Sequence, residues 1–298
     1  MNLLSIDSLS DAQIGHILDR GEHWFERNRS GARSGDALAG RIVFNVFFEN
    51  STRTSMSFAT AAHRLGASAI SLSVEHSSVK KGETLEDTAA TLGAMRPDAL
   101  VIRHRENGAP AVVADIVEAP VINAGDGTNE HPTQALLDAA TIRHRLGHVE
   151  GLKIAICGDI KHSRVARSNA KLLPRLGAQV RLAGPPELMP ADIAQCSVDD
   201  AIAGADVVMM LRVQRERLEQ DFSDAPGEFL SRYGLTAERL RSAAPNALVM
   251  HPGPMNRGVE IESTIADDPE RSLITTQVEM GVAVRMACLE MLVGEPTA

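Results

Sequence analysis

The chain contains two series of short apolar segments, and within each series these segments alternate with stretches that have the periodicity of amphipathic helices. Apolar runs of this length predict buried strands, and strands separated by helices predict parallel sheets that are covered on both faces. We therefore predict an α/β fold with two domains, each a mostly parallel sheet flanked by helices. The predicted strands are 41–48, 69–74, 99–103 and 120–123 in the first series and 152–157, 178–183, 206–211 and 247–250 in the second.

One long amphipathic segment lies between the two series. It begins at Pro132, a residue favoured in the first turn of a helix, and it ends near Gly147, a typical helix stop. We predict a helix over 132–146 that connects the two halves, and the length of 298 residues agrees with about two domains. The predicted domains are 1–134, completed by a C-terminal helix 283–298, and 135–282.

Composition and charge argue against several classes of protein. The formal charge is −9, and no long run of lysine or arginine is present. One Trp and one Tyr are too few for the aromatic platforms that bind single-stranded nucleic acid. No run of about 18 apolar residues occurs, and residues 1–7 lack a basic leader. We expect a cytoplasmic protein that binds neither nucleic acid nor a membrane.

Cysteines and histidines do not indicate a metal site. Cys157, Cys196 and Cys288 are odd in number and far apart, which predicts small buried side chains and neither disulfides nor a zinc knuckle. His144 and His148 have helical i, i+4 spacing without an acidic partner motif, and we interpret them as part of an exposed helix face. No G-x-G-x-x-G motif follows a predicted strand, so we expect neither a metal nor a cofactor.

The end of the first predicted strand carries a candidate phosphate site. Ser51, Thr52, Arg53 and Thr54 follow the strand and open a helix, so backbone N–H groups, hydroxyls and a guanidinium meet at one place. The alternative is that Ser51 and Thr52 only cap the helix. Capping leaves Arg53 unexplained, because a cation at the positive end of the helix dipole gains nothing there.

Two further strand ends in the first half carry polar residues. Ligands of parallel sheets bind beyond the carboxyl ends of strands, which directs attention to Arg103 and to the segment 123–134 with His131 and Gln134. Each residue also has a purely structural interpretation. Arg103 could be an exposed arginine at the end of a strand, and His131 could be a buried histidine satisfied by the backbone.

The second half places two arginines at strand ends. Arg164 follows one predicted strand and Arg212 follows another, and the segment 251–254 follows the last. Two guanidinium groups suit a ligand with two carboxylates, while the alternative for each is a solvated charge. A separate polar segment, 77–88, contains Ser77 and Lys81 and by itself predicts only a surface loop.

Taken together, these segments resemble the aspartate transcarbamoylases, the catalytic chains that form carbamoyl aspartate in pyrimidine synthesis. The resemblance extends over nearly the whole chain, and its motifs occur in the family's order and spacing. The matching segments are 47–66, 80–88, 123–134, 158–164, 212–218 and 251–261.

The resemblance implies a homotrimer in which each active site is completed by a loop of the adjacent chain, with a carbamoyl phosphate-binding first domain and an aspartate-binding second domain. In the family such trimers associate with regulatory chains or with a dihydroorotase, and both partners remain open for this chain.

The implied catalytic residues are Arg53, Thr54, Arg103 and His131. The implied carbamoyl phosphate site consists of Ser51, Thr52, Arg53, Thr54, Arg103, His131 and Gln134, with Ser77 and Lys81 from the neighbour. The implied aspartate site consists of Lys81, Arg164, Arg212, Gln214, Pro252 and Gly253, and the resemblance also implies a cis peptide bond before Pro254.

Two alternatives compete with this interpretation. Ornithine transcarbamoylases share the Ser-Thr-Arg-Thr site, but their cationic second substrate requires acidic partners, and members carry a cysteine where this chain has residues 251–254. The sequence Arg212-Val213-Gln214 favours a dicarboxylate instead. A noncatalytic relative, kept as an interaction subunit, would be expected to lose phosphate-site and oxyanion residues, which are all present here.

Overall fold

The computed structural model describes residues 1–31, 35–73, 82–193, 196–213 and 227–294. The chain divides into two compact units. Unit 1 comprises Met1–Ala140 and Val278–Ala298, and unit 2 comprises Thr141–Gln277. Each unit contains a four-stranded parallel sheet flanked by helices, which confirms the predicted fold class.

The helices and strands of the described residues have the following bounds. The helices are α1 (Asp11–Arg29), α2 (Thr52–Arg64), α3 (Leu85–Ala94), α4 (Ala109–Ile116), α5 (Pro132–Leu146), α6 (Arg164–Arg175), α7 (Val198–Ile202), α8 (Glu228–Tyr233), α9 (Ala237–Leu240), α10 (Ser263–Ala266) and α11 (Ile274–Val293), with a short 3₁₀ helix at Pro186–Leu188. The strands are β1 (Ile42–Phe47), β2 (Ser68–Ser73), β3 (Ala99–His104), β4 (Val121–Asp126), β5 (Lys153–Cys157), β6 (Gln179–Ala183), β7 (Val207–Met210) and β8 (Leu248–Met250).

The sheet of unit 1 has the strand order β2-β1-β3-β4. Phe47 at the end of β1 lies opposite Arg103 of β3, and His104 lies opposite Asp126 of β4. The carboxyl ends of these three strands therefore form one edge. Strand β4 ends three residues later than predicted: the residues 124–126 read as loop in the sequence because they include Gly125, but Asp126 still pairs with β3 after a register shift.

Helix α2 starts directly at this edge and has the predicted buried face. Phe58, Ala61 and Ala62 are fully buried, and Leu65 completes the same face. Gly66 then adopts a φ of 83°, a left-handed conformation that favours glycine and ends the helix. The first turn of α2 is thereby held against the sheet by a packed apolar face.

Unit 2 has the strand order β6-β5-β7-β8, and a largely aliphatic cluster covers one face of its sheet. Cys157 belongs to that cluster, and Cys288 of α11 is buried in unit 1. The prediction that all three cysteines are buried is wrong for Cys196, which is half-buried. No helix among the described residues combines the length and the apolar character needed to cross a bilayer.

Candidate functional site

The first turn of α2 carries the predicted phosphate-binding residues. Ser51 is the N-cap residue, and its carbonyl oxygen accepts the backbone N–H of Ser55 at 3.1 Å. Its hydroxyl does not make the side-chain capping hydrogen bond, so the capping alternative does not explain this serine. Thr52 and Arg53 are exposed, whereas Thr54 is buried. The structure therefore presents a guanidinium and hydroxyl groups at a helix start, where backbone N–H groups favour an anion.

Arg103 is held at the end of β3 between the neighbouring strand ends. Its Nε donates to Oε2 of Glu49 at 3.0 Å, and its Nη1 lies 3.5 Å from the carbonyl oxygen of Ala124. The backbone N–H of Phe48 donates to the Arg103 carbonyl at 2.8 Å. Only 13% of the Arg103 side chain is exposed, which contradicts the alternative of a solvated surface arginine. The guanidinium is fixed beside the phosphate-binding turn.

The loop between β4 and α5 is built around the carboxylate of Asp126, which is 1% exposed. Oδ1 accepts from Asn123 Nδ2 at 2.9 Å and from the Glu130 N–H at 3.0 Å. Oδ2 accepts from the Gly108 N–H at 2.8 Å and from Asn129 Nδ2 at 3.0 Å. Four hydrogen bonds to one buried carboxylate therefore fix the loop that leads to His131.

His131 is buried and immediately precedes helix α5. Its carbonyl oxygen accepts the backbone N–H groups of Gln134 at 3.0 Å and Ala135 at 3.3 Å. Gln134 is also buried, and its Nε2 donates to Oδ1 of Asp138 at 3.0 Å. The same loop meets the end of β3, because the Gly127 N–H donates to the His104 carbonyl at 2.9 Å.

Burial lowers the pKa of His104, whose Nδ1 accepts the Glu106 N–H at 3.0 Å. This imidazole is therefore neutral at physiological pH and adds no charge next to Arg103. The cationic character of the edge in unit 1 comes from its arginines.

In unit 2, Arg164 occupies the first position of α6 after the N-cap Ser163, whose Oγ accepts the Ala166 N–H at 3.1 Å. Arg164 is only 9% exposed, so it is not the solvated charge of the alternative interpretation. The preceding loop is ordered by Asp159, which accepts from the backbone N–H of His162 at 3.1 Å and lies 2.9 Å from its Nδ1. Arg212 is half-buried and lies two residues after the end of β7.

The loop after β8 is organised by His251. The Gly253 N–H donates to His251 Nδ1 at 2.8 Å, so the ring proton lies on Nε2, which faces Oε1 of the buried Glu260 at 3.3 Å. Gly253 has a φ of 66°, a conformation that favours glycine, and the peptide bond to Pro254 is cis, as the resemblance implied. Pro252 and Gly253 are half-buried.

The described residues thus form two groups. At the sheet edge of unit 1 lie Ser51, Thr52, Arg53, Thr54, Arg103, His131 and Gln134, and in unit 2 lie Arg164, Arg212, Pro252 and Gly253. Ser77, Lys81 and Gln214 lie outside the described residues. The supporting acids Asp126, Asp138 and Glu260 were not predicted from the sequence. The only signal for each is an acidic residue inside an apolar or glycine-containing stretch.

Both units match described protein families. Residues 1–144 match the family described as aspartate/ornithine carbamoyltransferase, carbamoyl-P binding domain, and residues 150–292 match aspartate/ornithine carbamoyltransferase, Asp/Orn binding domain. The aspartate carbamoyltransferase catalytic subunit of Rhizorhabdus wittichii is 58% identical over 297 residues, covering 98% of this chain and 94% of the relative. The subunit of the same name from Rhodospirillum rubrum is 56% identical, with 98% and 94% covered.

Solved structures show the same likeness. Aspartate transcarbamoylase from Trypanosoma cruzi in complex with carbamoyl aspartate and phosphate superposes with a TM-score of 0.86 at 35% identity, covering 98% of this chain and 96% of that one. Ornithine carbamoyltransferase from Pyrococcus furiosus gives a TM-score of 0.89 at 25% identity, with 99% and 98% covered. Because the fold is shared by both enzymes, residues must decide the second substrate. The chain belongs to the aspartate/ornithine carbamoyltransferase family.

Proposed function

We propose that this chain is an aspartate transcarbamoylase, which transfers the carbamoyl group of carbamoyl phosphate to the α-amino group of L-aspartate in de novo pyrimidine synthesis. The observation that carries the proposal is the sheet edge of unit 1, where the fixed guanidinium of Arg103 lies beside a helix start rich in phosphate-binding groups. The relatives that match almost the whole chain at 56–58% identity bear the name of this enzyme.

Unit 1 binds carbamoyl phosphate and unit 2 binds aspartate in this proposal. The phosphate is held by the N–H groups and hydroxyls at the start of α2 and by Arg53 and Arg103. The two carboxylates of aspartate are bound by Arg164 and Arg212, with Gln214 and the backbone at Pro252 and Gly253. The largely buried position of Arg164 at the start of α6 supports this role, because a guanidinium whose position is fixed by burial is pre-organised for bidentate binding of a carboxylate.

The reaction proceeds by attack of the aspartate amine on the carbonyl carbon. A tetrahedral oxyanion forms, and its collapse breaks the bond to the phosphate oxygen. Thr54, Arg103 and His131 donate to the developing oxyanion, and each such donor is typically worth about 2.7–4 kcal/mol. The amine must lose a proton, and the departing phosphate is the base we assign to it. His131 acts as an electrophile in this scheme.

Charge complementarity supports the same pair of substrates. Carbamoyl phosphate is close to a dianion at neutral pH, and aspartate carries two carboxylates. The cations proposed to balance them are Arg53, Lys81, Arg103, Arg164 and Arg212. These cations can bind anions although the chain has a formal charge of −9, because interactions at close range outweigh screened distant charges.

Further parts of the proposal concern assembly and location. We propose a cytoplasmic homotrimer in which Ser77 and Lys81 of one chain complete the site of the next. The names of the relatives call them catalytic subunits, which supports association with other chains, and regulatory chains or a dihydroorotase are the partners we propose to test for. We propose no metal and no cofactor.

The test is an assay of the purified protein with carbamoyl phosphate and either L-aspartate or L-ornithine. We expect carbamoyl aspartate as the product and no carbamoylation of ornithine. Product from ornithine alone would contradict the assignment of the second substrate.

We further expect Arg53→Ala to lower kcat by about 10²–10³-fold, because the proposed role of this side chain is to bind the ligand. The melting temperature should be unchanged because the side chain is exposed. Arg105→Ala is the matched control: its side chain is 79% exposed near the same edge, and its loss should change kcat less than about twofold. Near wild-type turnover of Arg53→Ala would refute its role.

A further inference from the structure

Unit 1 contains two buried charges that the proposed reaction does not use. Asp138 of α5 is fully buried, and Arg285 of α11 is 4% exposed. Aspartate and arginine are almost never buried so deeply unless they are paired, because removing an isolated charge from water is costly. Asp138 lies one helical turn from Gln134 and contacts it, which indicates a role beyond packing.

The environment of Arg285 is built for a guanidinium. Its Nη1 donates to Oγ of Ser57 at 2.9 Å, and its planar group lies over the ring of Phe58 at 5.1 Å from the centroid. A Cβ at Gly281 would lie 2.7 Å from Nη1, so glycine makes room for the arginine there. Burial lowers the pKa of Arg285 to about 10, and the charge of Asp138 acts in the opposite direction. Arg285 is therefore cationic at neutral pH.

The bond between Asp138 and Gln134 fixes the direction of an amide. Oδ1 of Asp138 lies 3.0 Å from Nε2 of Gln134, one helical turn away. The NH₂ group of Gln134 is the donor of this bond, so the NH₂ end of the amide faces Asp138. The oxygen Oε1 lies on the other side of the amide and can only accept. One N–H of Gln134 is therefore engaged by Asp138, and Oε1 is left to accept a hydrogen bond from a donor in its surroundings.

We propose that Asp138 is a positioning residue that turns the Gln134 oxygen toward the NH₂ group of carbamoyl phosphate and so makes the site select carbamoyl over acetyl phosphate. The inference rests on the proposed function. Acetyl phosphate has a methyl group where carbamoyl phosphate has NH₂. It would leave the buried Gln134 oxygen without a donor, and sites built to bond a substrate NH reject analogues that lack it.

The experiment compares wild type, Asp138→Asn, Gln134→Ala and the double variant. The readouts are the dissociation constant of carbamoyl phosphate and the inhibition constant of acetyl phosphate as a competitor of carbamoyl phosphate. The selectivity ratio is the inhibition constant divided by the dissociation constant. Asparagine can donate as well as accept, so the Gln134 amide is no longer held in one direction. We expect the ratio of the two constants to fall by roughly tenfold in Asp138→Asn. In the Gln134→Ala background the same change should alter the ratio less than about twofold.

Ser57→Ala is the matched control, because it removes a hydrogen-bond partner of Arg285 and leaves the bond from Gln134 to Asp138 in place. It should lower the melting temperature and keep the selectivity ratio. An Asp138→Asn enzyme with wild-type selectivity, or one whose effect persists without Gln134, would overturn the inference. If the wild type still carbamoylates aspartate, such a result would contradict the role of Asp138 and not the proposed function. A wild type that carbamoylates no aspartate would refute the proposed function itself.

A second variant covers the case in which Asp138→Asn does not fold. Gln134→Glu places two carboxylates against each other and should abolish selective binding. Adding Asp138→Asn gives a pair with glutamate at 134 and asparagine at 138, in which a donor again faces an acceptor. The selectivity ratio of this swapped pair should be at least about tenfold higher than that of Gln134→Glu. A swapped pair no more selective than Gln134→Glu would also overturn the inference.

Discussion

Three arginines of unit 1 differ in burial, and this difference indicates different roles. Arg53 is exposed, Arg103 is 13% exposed and held by Glu49, and Arg285 is 4% exposed. A side chain that is both fixed and reachable loses little entropy when a ligand arrives, and this describes Arg103. Arg53 is exposed and can reach a ligand, whereas Arg285 is too deep to meet a ligand directly. We therefore expect Arg103 to contribute most to pre-organisation.

The three cysteines differ in burial, and this difference predicts which thiol reacts. Burial raises the pKa of Cys157 and of Cys288 to about 12, and the thiolate is the reactive form, so both thiols stay protonated and inert at pH 8. Cys196 is half-buried. A disulfide reagent at pH 8 should modify only Cys196 in the native protein and all three cysteines in denaturant, as counted by mass spectrometry. A Cys196→Ser variant that still reacts rapidly when folded would contradict this prediction.

At the scale of elements, the loop between β4 and α5 depends on one side chain. Asp126 accepts four hydrogen bonds from residues 108, 123, 129 and 130, and removing it leaves two buried and two half-buried donors without their acceptor. We expect Asp126→Ala to lower the free energy of unfolding by about 3 kcal/mol or more, and kcat by about tenfold or more through displacement of His131.

Urea unfolding and a kinetic assay check this prediction. The matched control is Asp115→Ala on the exposed side of α4, which should change stability by less than about 0.5 kcal/mol. If the urea midpoints of the two variants coincided, the loop would not depend on Asp126.

The strands and the helix starts could be predicted from sequence because their signals are local. Apolar runs placed all eight strands of the described residues, and Pro132 marked the start of α5. The supporting acids could not be found in the same way. Asp126 and Asp138 are of a type that is usually exposed, and their partners Gly108 and Arg285 lie far along the chain. The site residues themselves remain predictions, although the burial of Arg103 and Arg164 argues against solvated charges.

At the scale of the whole molecule, the proposed site needs two copies of the chain. The edge of unit 1 supplies Arg53 and Arg103, and in the proposed trimer Lys81 comes from the neighbour. In a cyclic trimer every site then combines Arg53 of one chain with Lys81 of another. This arrangement can be tested without any structure, because two inactive chains should complement each other.

We expect Arg53→Ala and Lys81→Ala chains to be almost inactive alone and to recover activity when they are mixed, unfolded and reassembled. With random assortment at equal amounts, about a quarter of the sites receive both wild-type residues. A chain carrying both substitutions is the matched control. When it is mixed with an equal amount of wild type, shared sites predict about a quarter of the sites active, and sites within one chain predict about half. Mixed trimers of confirmed composition with no recovered activity, together with half-maximal activity in the control, would refute the shared site while leaving the family assignment intact.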